Sequence, residues 1–326
     1  MHPAFSVILL TTLIGTGQGL FLALYTGQVY SLANLLPAQD GRGFYALGSM
    51  LSLGLLAAGL LASFFHLGHP ERAWRAASQW RTSWLSREVV ALPVFMLLVL
   101  AFAVVHFMGW TRPWVVVKGH VPVDASLVIG FLASVVAFLL YFFTAMIYAS
   151  LRFLQEWHHW LTVMNYTLLG LASGFLLTAA FAAWLGIDLV VFYGTWGAIF
   201  TGAAAVTRGA SLYRNARIRP KSSARTAIGV RHTQVQQRSQ GFLGGSFNTR
   251  EFFHGRSAAT LQGVRTLFLV LVFVAPLLLL AAAYLLASPY LPIAAFAVQY
   301  VGLLAERWHF FAEARHPQNL YYQSMA

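Results

Sequence analysis

The chain has 326 residues, 59% of them hydrophobic and only 9% charged, a composition that excludes an ordinary soluble enzyme, in which about a quarter of residues carry charge. It contains no cysteine, which excludes c-type haem attachment, thiolate-bound iron–sulfur clusters and disulfides, so any electron carrier here is held by other groups. A net charge of +12 would suit nucleic acid in a soluble chain, but in so apolar a sequence it reflects loops facing lipid head groups, and no nucleic-acid partner is expected.

Apolar runs recur at 5–36, 43–66, 87–109, 124–150, 160–186, 189–212, 259–287 and 290–312. Each is long enough to cross a bilayer, since about 20 helical residues span about 30 Å. Backbone groups in lipid must pair within their own segment, so the runs are expected to be helices. The expected fold class is all-α: a polytopic membrane protein with eight transmembrane helices in a bundle, forming one integral membrane domain over 1–326. Gly15, Gly17, Gly19 and Gly27 predict close packing of the first helix. Pro93, Pro276 and Pro292 fall in or near helix starts, where a bundle tolerates them. Met1-His2-Pro3 has neither a basic region nor a cleavage site, so no removable signal peptide is expected.

The connections sort by charge. Arg72, Arg75, Arg81 and Arg87 follow the second run and Arg152 the fourth. The basic residues from Arg208 to Arg256 surround the loop after the sixth, and Arg307 and Arg315 are counted in the tail after the eighth. The opposite side has Arg42, Arg112 and Lys118. The positive-inside rule then places the even-numbered loops and both termini in the cytoplasm. The long basic loop 213–258 reads either as a solvated loop or as a docking surface for a cytoplasmic partner. Phe242, Phe247, Phe252 and Phe253 favour docking. Its Gly244-Gly245 lacks the following Lys-Ser/Thr of a phosphate loop, so nucleotide binding is not expected.

Chemistry concentrates in the connection between the second and third runs. Phe64-Phe65-His66-Leu67-Gly68-His69-Pro70-Glu71-Arg72-Ala73-Trp74 leads to Ser83-Trp84-Leu85-Ser86-Arg87-Glu88. Glu88 falls in the first turn of the third helix, with Ser86 placed to cap it. There it either favours the helix dipole or exchanges protons at the membrane edge. His66 ends the second helix and either satisfies the last carbonyls or holds a quinone carbonyl. Both can face one pocket, walled by Trp74, Trp80 and Trp84 unless these tryptophans form an interfacial belt. A haem would need two histidines facing each other across the bundle. The distribution of His66, His106, His120, His158, His159 and His309 shows no doubled spacing, so no haem is expected, although one b-type haem stays open. Glu156-Trp157-His158-His159-Trp160 reads as a juxtamembrane anchor rather than a metal site, since adjacent histidines diverge on a helix. Tyr148/Arg152 and Tyr213/Arg217 end two helices alike, as a faint repeat or as ordinary interfacial anchoring.

The same motif residues, 64–74 and 83–88, resemble the signature of the DmsC-type membrane anchors of molybdopterin oxidoreductases. His2-Pro3-Ala4-Phe5-Ser6 and Met146-Ile147-Tyr148-Ala149-Ser150-Leu151 resemble the family too. The loop 241–258 and Glu306-Arg307-Trp308-His309-Phe310-Phe311 resemble its sulfite dehydrogenase (SoeC-type) branch. The resemblance implies an anchor that holds an iron–sulfur subunit and a molybdopterin catalytic subunit at the cytoplasmic face and passes electrons to ubiquinone or menaquinone. It also implies a quinone site at His66 and Glu88. On that basis Glu88 is the expected proton relay and His66 the carbonyl partner, with Arg72, Trp74, Ser86 and Arg87 completing the site and no metal ligands. A transporter would need charges near the bilayer midplane, where these helices are nearly charge-free.

Overall fold

The computed structural model describes residues 1–117, 121–232, 234–236, 238 and 247–322. Its long helices are α1 (Phe5–Leu32), α2 (Gly41–Phe64), α3 (Trp84–Met108), α4 (Ala125–Ala149), α5 (Trp160–Trp184), α6 (Val190–Asn215), α7 (Ala258–Leu286) and α8 (Tyr290–Glu313). Among the described residues, the first seven are long and apolar enough to cross a membrane. The 24-residue α8 matches them in length but carries Glu306, Arg307 and Glu313. A feature that apolar patterning does not reveal is the hairpin of β1 (Val115–Val117) and β2 (Val121–Val123), antiparallel with Val115 opposite Val123.

Local chemistry sets the helix ends. α1 stops at Leu32, short of the expected 36, because Asn34 turns left-handed (φ 58°) ahead of Pro37. α3 begins at Trp84 rather than 87. Ser83 is extended there, and its hydroxyl accepts from the Ser86 amide at 3.4 Å. The cap is therefore Ser83, and Ser86 lies buried in the first turn. Gly109, at φ 70°, ends α3 with a left-handed cap.

α1 and α5 are the most buried helices and form the centre of the bundle. α2 packs on α1, α3 on α4, α6 and α8 on α5, and α7 on α8. The glycines of α1 make this possible, each toward a different neighbour. Gly19 lies against the backbone of Gly170 and Gly174 of α5, Gly17 against Ser52 and Leu56 of α2, and Gly27 against the Tyr193 hydroxyl of α6. A side chain at Gly174 would enter the Gly19 backbone, which cannot yield as a flexible side chain can. Gly174→Val is expected to cost about 3 kcal/mol or more through overpacking, read as loss of monodisperse protein in detergent. Gly202→Ala, where nothing approaches, is the control that leaves the protein intact.

Buried polar groups then fix the helices in register. The Ser52 hydroxyl donates to the Gly17 carbonyl at 2.7 Å, the Gln18 amide to Ala137 at 3.1 Å and the Tyr141 hydroxyl to Gly15 at 2.7 Å. In α7 a π-helical turn at Val270–Val274 precedes Pro276. Proline lacks the N–H that would satisfy the Val272 carbonyl four residues back. The Gln299 amide of α8 supplies that donor at 3.2 Å and also donates to the Thr201 hydroxyl at 3.0 Å. Gln299→Leu strands both acceptors. It is expected to cost about 1–3 kcal/mol, seen as a lower midpoint in thermal denaturation of the detergent-solubilised protein.

One end of the bundle gathers the N-terminus, the turns after α2 and α4, the loop after α6 and the C-terminal segment. The His2 amide donates to Glu251 at 2.9 Å and the Asn319 side chain to Phe252 at 2.9 Å. The Tyr321 hydroxyl donates to Ala227 at 3.0 Å. Phe252 stacks on His316, with centroids 3.7 Å apart, and Phe253 meets Tyr322 edge-on. Two of the four loop phenylalanines thus pack within the chain, while Phe242 lies outside the described residues, as do Lys118 and His120. This basic end holds the candidate site.

Candidate functional site

The rim is built from the turn between α2 and α3. Pro70 opens a 3₁₀ helix, Pro70–Ala77, suited by its fixed φ and missing N–H to a first-turn position. His69 Nδ1 lies 3.1 Å and Arg72 Nε 3.7 Å from the Glu71 carboxylate, all well exposed. Arg87 is committed within the rim. Its guanidinium donates to the Trp80 carbonyl at 3.0 Å and the Arg81 carbonyl at 2.7 Å, and lies 4.1 Å over the Trp84 ring. Trp74 is 70% exposed and so presents a face outward rather than closing a cavity. His66 is exposed in the turn beyond α2. Partial burial still lowers its imidazole below the ordinary value, leaving the ring neutral at pH 7.

Glu88 faces inward instead. It lies one helical turn below Trp84 on the same face of α3, and Trp84 packs edge-on against Phe142 of α4. The Thr144 hydroxyl of α4 donates to Glu88 Oε1 at 2.6 Å. The carboxylate lines a narrow cleft of about 20 Å³ shared by α1, α3, α4, α5 and α8, whose lining also includes Thr12, Thr16, Tyr141, Tyr166, Ser173 and Arg307. That is room for about one water among several hydroxyls. The structure thus brings Glu88, half-buried, to a narrow half-open cleft lined by polar and apolar groups, one helical turn below Trp84. His66, Arg72 and Trp74 lie on the exposed rim and do not line that cleft.

A group of charges that positive-inside counting assigns to loops is buried beside the cleft. Arg208 of α6 and Glu306 of α8 are 2% and 1% exposed, with Arg208 Nε 2.8 Å from Glu306 Oε1. Glu306 Oε2 lies 3.4 Å from Arg307 Nε, and Arg208 Nη1 3.8 Å from Glu313. His309 Nδ1 is 3.4 Å from Arg208 and 3.8 Å from Glu313. Two arginines and two carboxylates balance, which is what burial of charge requires. The Arg307 guanidinium lies 3.8 Å over the ring of Tyr166, which stacks on Tyr148. The sequence held a signal for this group. Glu306-Arg307 interrupts an otherwise apolar helix, and Arg208 precedes the end of α6 by two turns.

The segment 156–160 divides. Trp157 is buried, stacked on Phe310 at 5.2 Å and donating to its carbonyl at 2.9 Å, so it belongs to the core and not to an interfacial anchor. Trp160 is 62% exposed and fits the anchoring role. His159 caps α5 by accepting from the Leu161 amide. Among the described residues no group of three or more histidines or acids could hold a metal ion. Tyr148 and Tyr213 also part company. The first is half-buried among Trp157, Tyr166 and Phe311, while the second is exposed under Arg217 at 3.9 Å. The similarity of the two helix ends is therefore not a structural repeat.

The chain is 60% identical, over the full length of both proteins, to a sulfite dehydrogenase subunit of Allochromatium vinosum. Residues 1–312 match the family described as DMSO reductase anchor subunit (DmsC). With a match that runs from the first residue to the last turns of α8, and helices long and apolar enough for a membrane, the chain belongs to the DmsC family of anchor subunits.

Proposed function

We propose that this chain anchors an oxidoreductase complex in the bacterial cytoplasmic membrane, with α8 as an eighth span and the basic end in the cytoplasm. An iron–sulfur subunit and a molybdopterin catalytic subunit dock on that end, and the chain passes their electrons to ubiquinone or menaquinone. Full-length identity to a sulfite dehydrogenase subunit supports sulfite as the electron source. Sulfite and water give sulfate, two protons and two electrons in the catalytic chain. The quinone takes two electrons and two protons, and both its carbonyl oxygens become hydroxyls.

The observation that carries the reading is Glu88. It is a carboxylate hydrogen-bonded by Thr144 in a cleft that admits about one water, directly under the rim. The cleft is too small for a quinone ring, so the ring binds on the rim side, near His66, Arg72 and Trp74, and a water carries the proton between it and Glu88. Neutral His66 donates a ring N–H to one carbonyl. Ser86 sits between rim and cleft, and Arg87 shapes the rim through its two carbonyl contacts.

The test is to purify the chain with its companions, identify them by mass, and assay sulfite-dependent reduction of ubiquinone-1 and menaquinone-1. Recovery of the two partner subunits with reduction of either quinone is expected. An intact complex that reduces neither quinone while oxidising sulfite with ferricyanide would overturn the quinone role. His66→Ala is expected to raise the quinone KM by about tenfold, the worth of one neutral hydrogen bond of about 1–1.5 kcal/mol, with a smaller change in kcat.

A further inference from the structure

Resting on the quinone reading, we infer that Arg307, rather than a rim arginine, supplies the positive charge of the Glu88 cleft, and that the buried Arg208–Glu306 pair positions it there. The rim cations are poorly placed for this. Arg72 is 57% exposed, where solvent screens its charge, and Arg87 is held on the rim by two backbone carbonyls and the Trp84 ring. Arg307 is 4% exposed and lines the same water-sized cleft as Glu88. Tyr166, which also lines that cleft, stacks on Tyr148 with centroids 5.7 Å apart.

The chemistry needs such a cation. When Glu88 gives its proton to the reduced ring, its O–H bond breaks, a ring O–H bond forms, and a carboxylate is left in a low-dielectric interior. Arg307, the cation among the residues lining that cleft, shares its charge between Glu306 and the new anion until a proton from the cytoplasmic side restores the acid. A long side chain delivers this only if it cannot swing away. Glu306 Oε2 holds Arg307 Nε at 3.4 Å, Arg208 holds Glu306 at 2.8 Å, and the Tyr166 ring supports the guanidinium plane at 3.8 Å. Arg307 is therefore a positioning residue for Glu88, and Glu306 and Arg208 act through it.

The experiment uses the intact complex with sulfite as donor and whichever of ubiquinone-1 or menaquinone-1 the wild type reduces, with ferricyanide as the control acceptor. Arg307→Gln is expected to lower quinone kcat at least tenfold with little change in KM and none in the ferricyanide rate, and Arg307→Lys to restore most of the loss. Glu88→Gln/Arg307→Gln should be no slower than Glu88→Gln alone, because the cation has nothing left to balance. Wild-type kcat in Arg307→Gln, with Glu88→Gln still impaired, overturns this inference alone. Parallel loss of both acceptor activities without rescue by lysine makes Arg307 a folding residue and overturns it too. If Glu88→Gln is itself unimpaired, the quinone reading falls and takes this one with it.

Discussion

Glu88→Gln is expected to cut quinone turnover by about 10²-fold or more while leaving sulfite oxidation with an artificial acceptor at its wild-type rate. The size follows from what general acid–base catalysis contributes, typically about 10²–10⁴-fold. The selectivity follows from position. Glutamine keeps the volume of the side chain and can still accept from Thr144, so the cleft keeps its shape and its one-water capacity. What it loses is the exchangeable proton. Glu88→Asp retains the proton but withdraws it by one methylene from Thr144 and the cleft water, so it should fall between the two. Thr144→Val probes the same contact from the other side. It removes the 2.6 Å donor without touching the acid, and a several-fold loss in quinone turnover with an unchanged ferricyanide rate is the expected signature. Equal loss of both activities in Glu88→Gln would show that the carboxylate holds the helices together instead.

Apolar run length made the bundle legible, since lipid leaves helices as the only way to satisfy an isolated spanning backbone. The glycines of α1 were legible for the same kind of reason. Small residues in an apolar helix have few uses other than close approach, and Gly19 meets Gly170 and Gly174 accordingly. Glu88 stood out because a carboxylate at a helix mouth is costly unless used. Its partners did not stand out, because Thr144, Tyr166 and Arg307 come from α4, α5 and α8, and nothing in linear spacing joins those helices to α3. The pairing of Glu88 with His66 as near neighbours in sequence suggested a single pocket. Helical geometry separates them, with Glu88 turned into the bundle and His66 left on the exposed turn. Counting Arg208 and Arg307 as loop charges missed them for a related reason. The positive-inside rule scores a basic residue by its distance from a helix end and takes no account of which face it occupies, whereas burial depends on the face. Trp157 misled in the same way, as an aromatic at a membrane edge that packs inward on Phe310.

The second large effect concerns the buried charges. Arg208→Met is expected to destabilise the protein by about 3–5 kcal/mol, because it leaves Glu306 buried with an incomplete set of countercharges. Arg208→Met/Glu306→Met should recover most of that loss. The double variant removes one charge of each sign from a balanced group and replaces both with flexible apolar side chains, and buried ion pairs are often no more stabilising than such replacements. Thermal midpoints of the detergent-solubilised chain measure both variants, and a double variant as unstable as the single would mean that the pair holds α6 to α8 by its own strength. A recovered double variant then separates stability from function. It is folded, yet Arg307 has lost the Glu306 carboxylate that holds it toward the cleft. Its quinone turnover should remain depressed while its melting temperature returns. If turnover and stability recover together, the Arg208–Glu306 pair serves only the packing of α6 against α8.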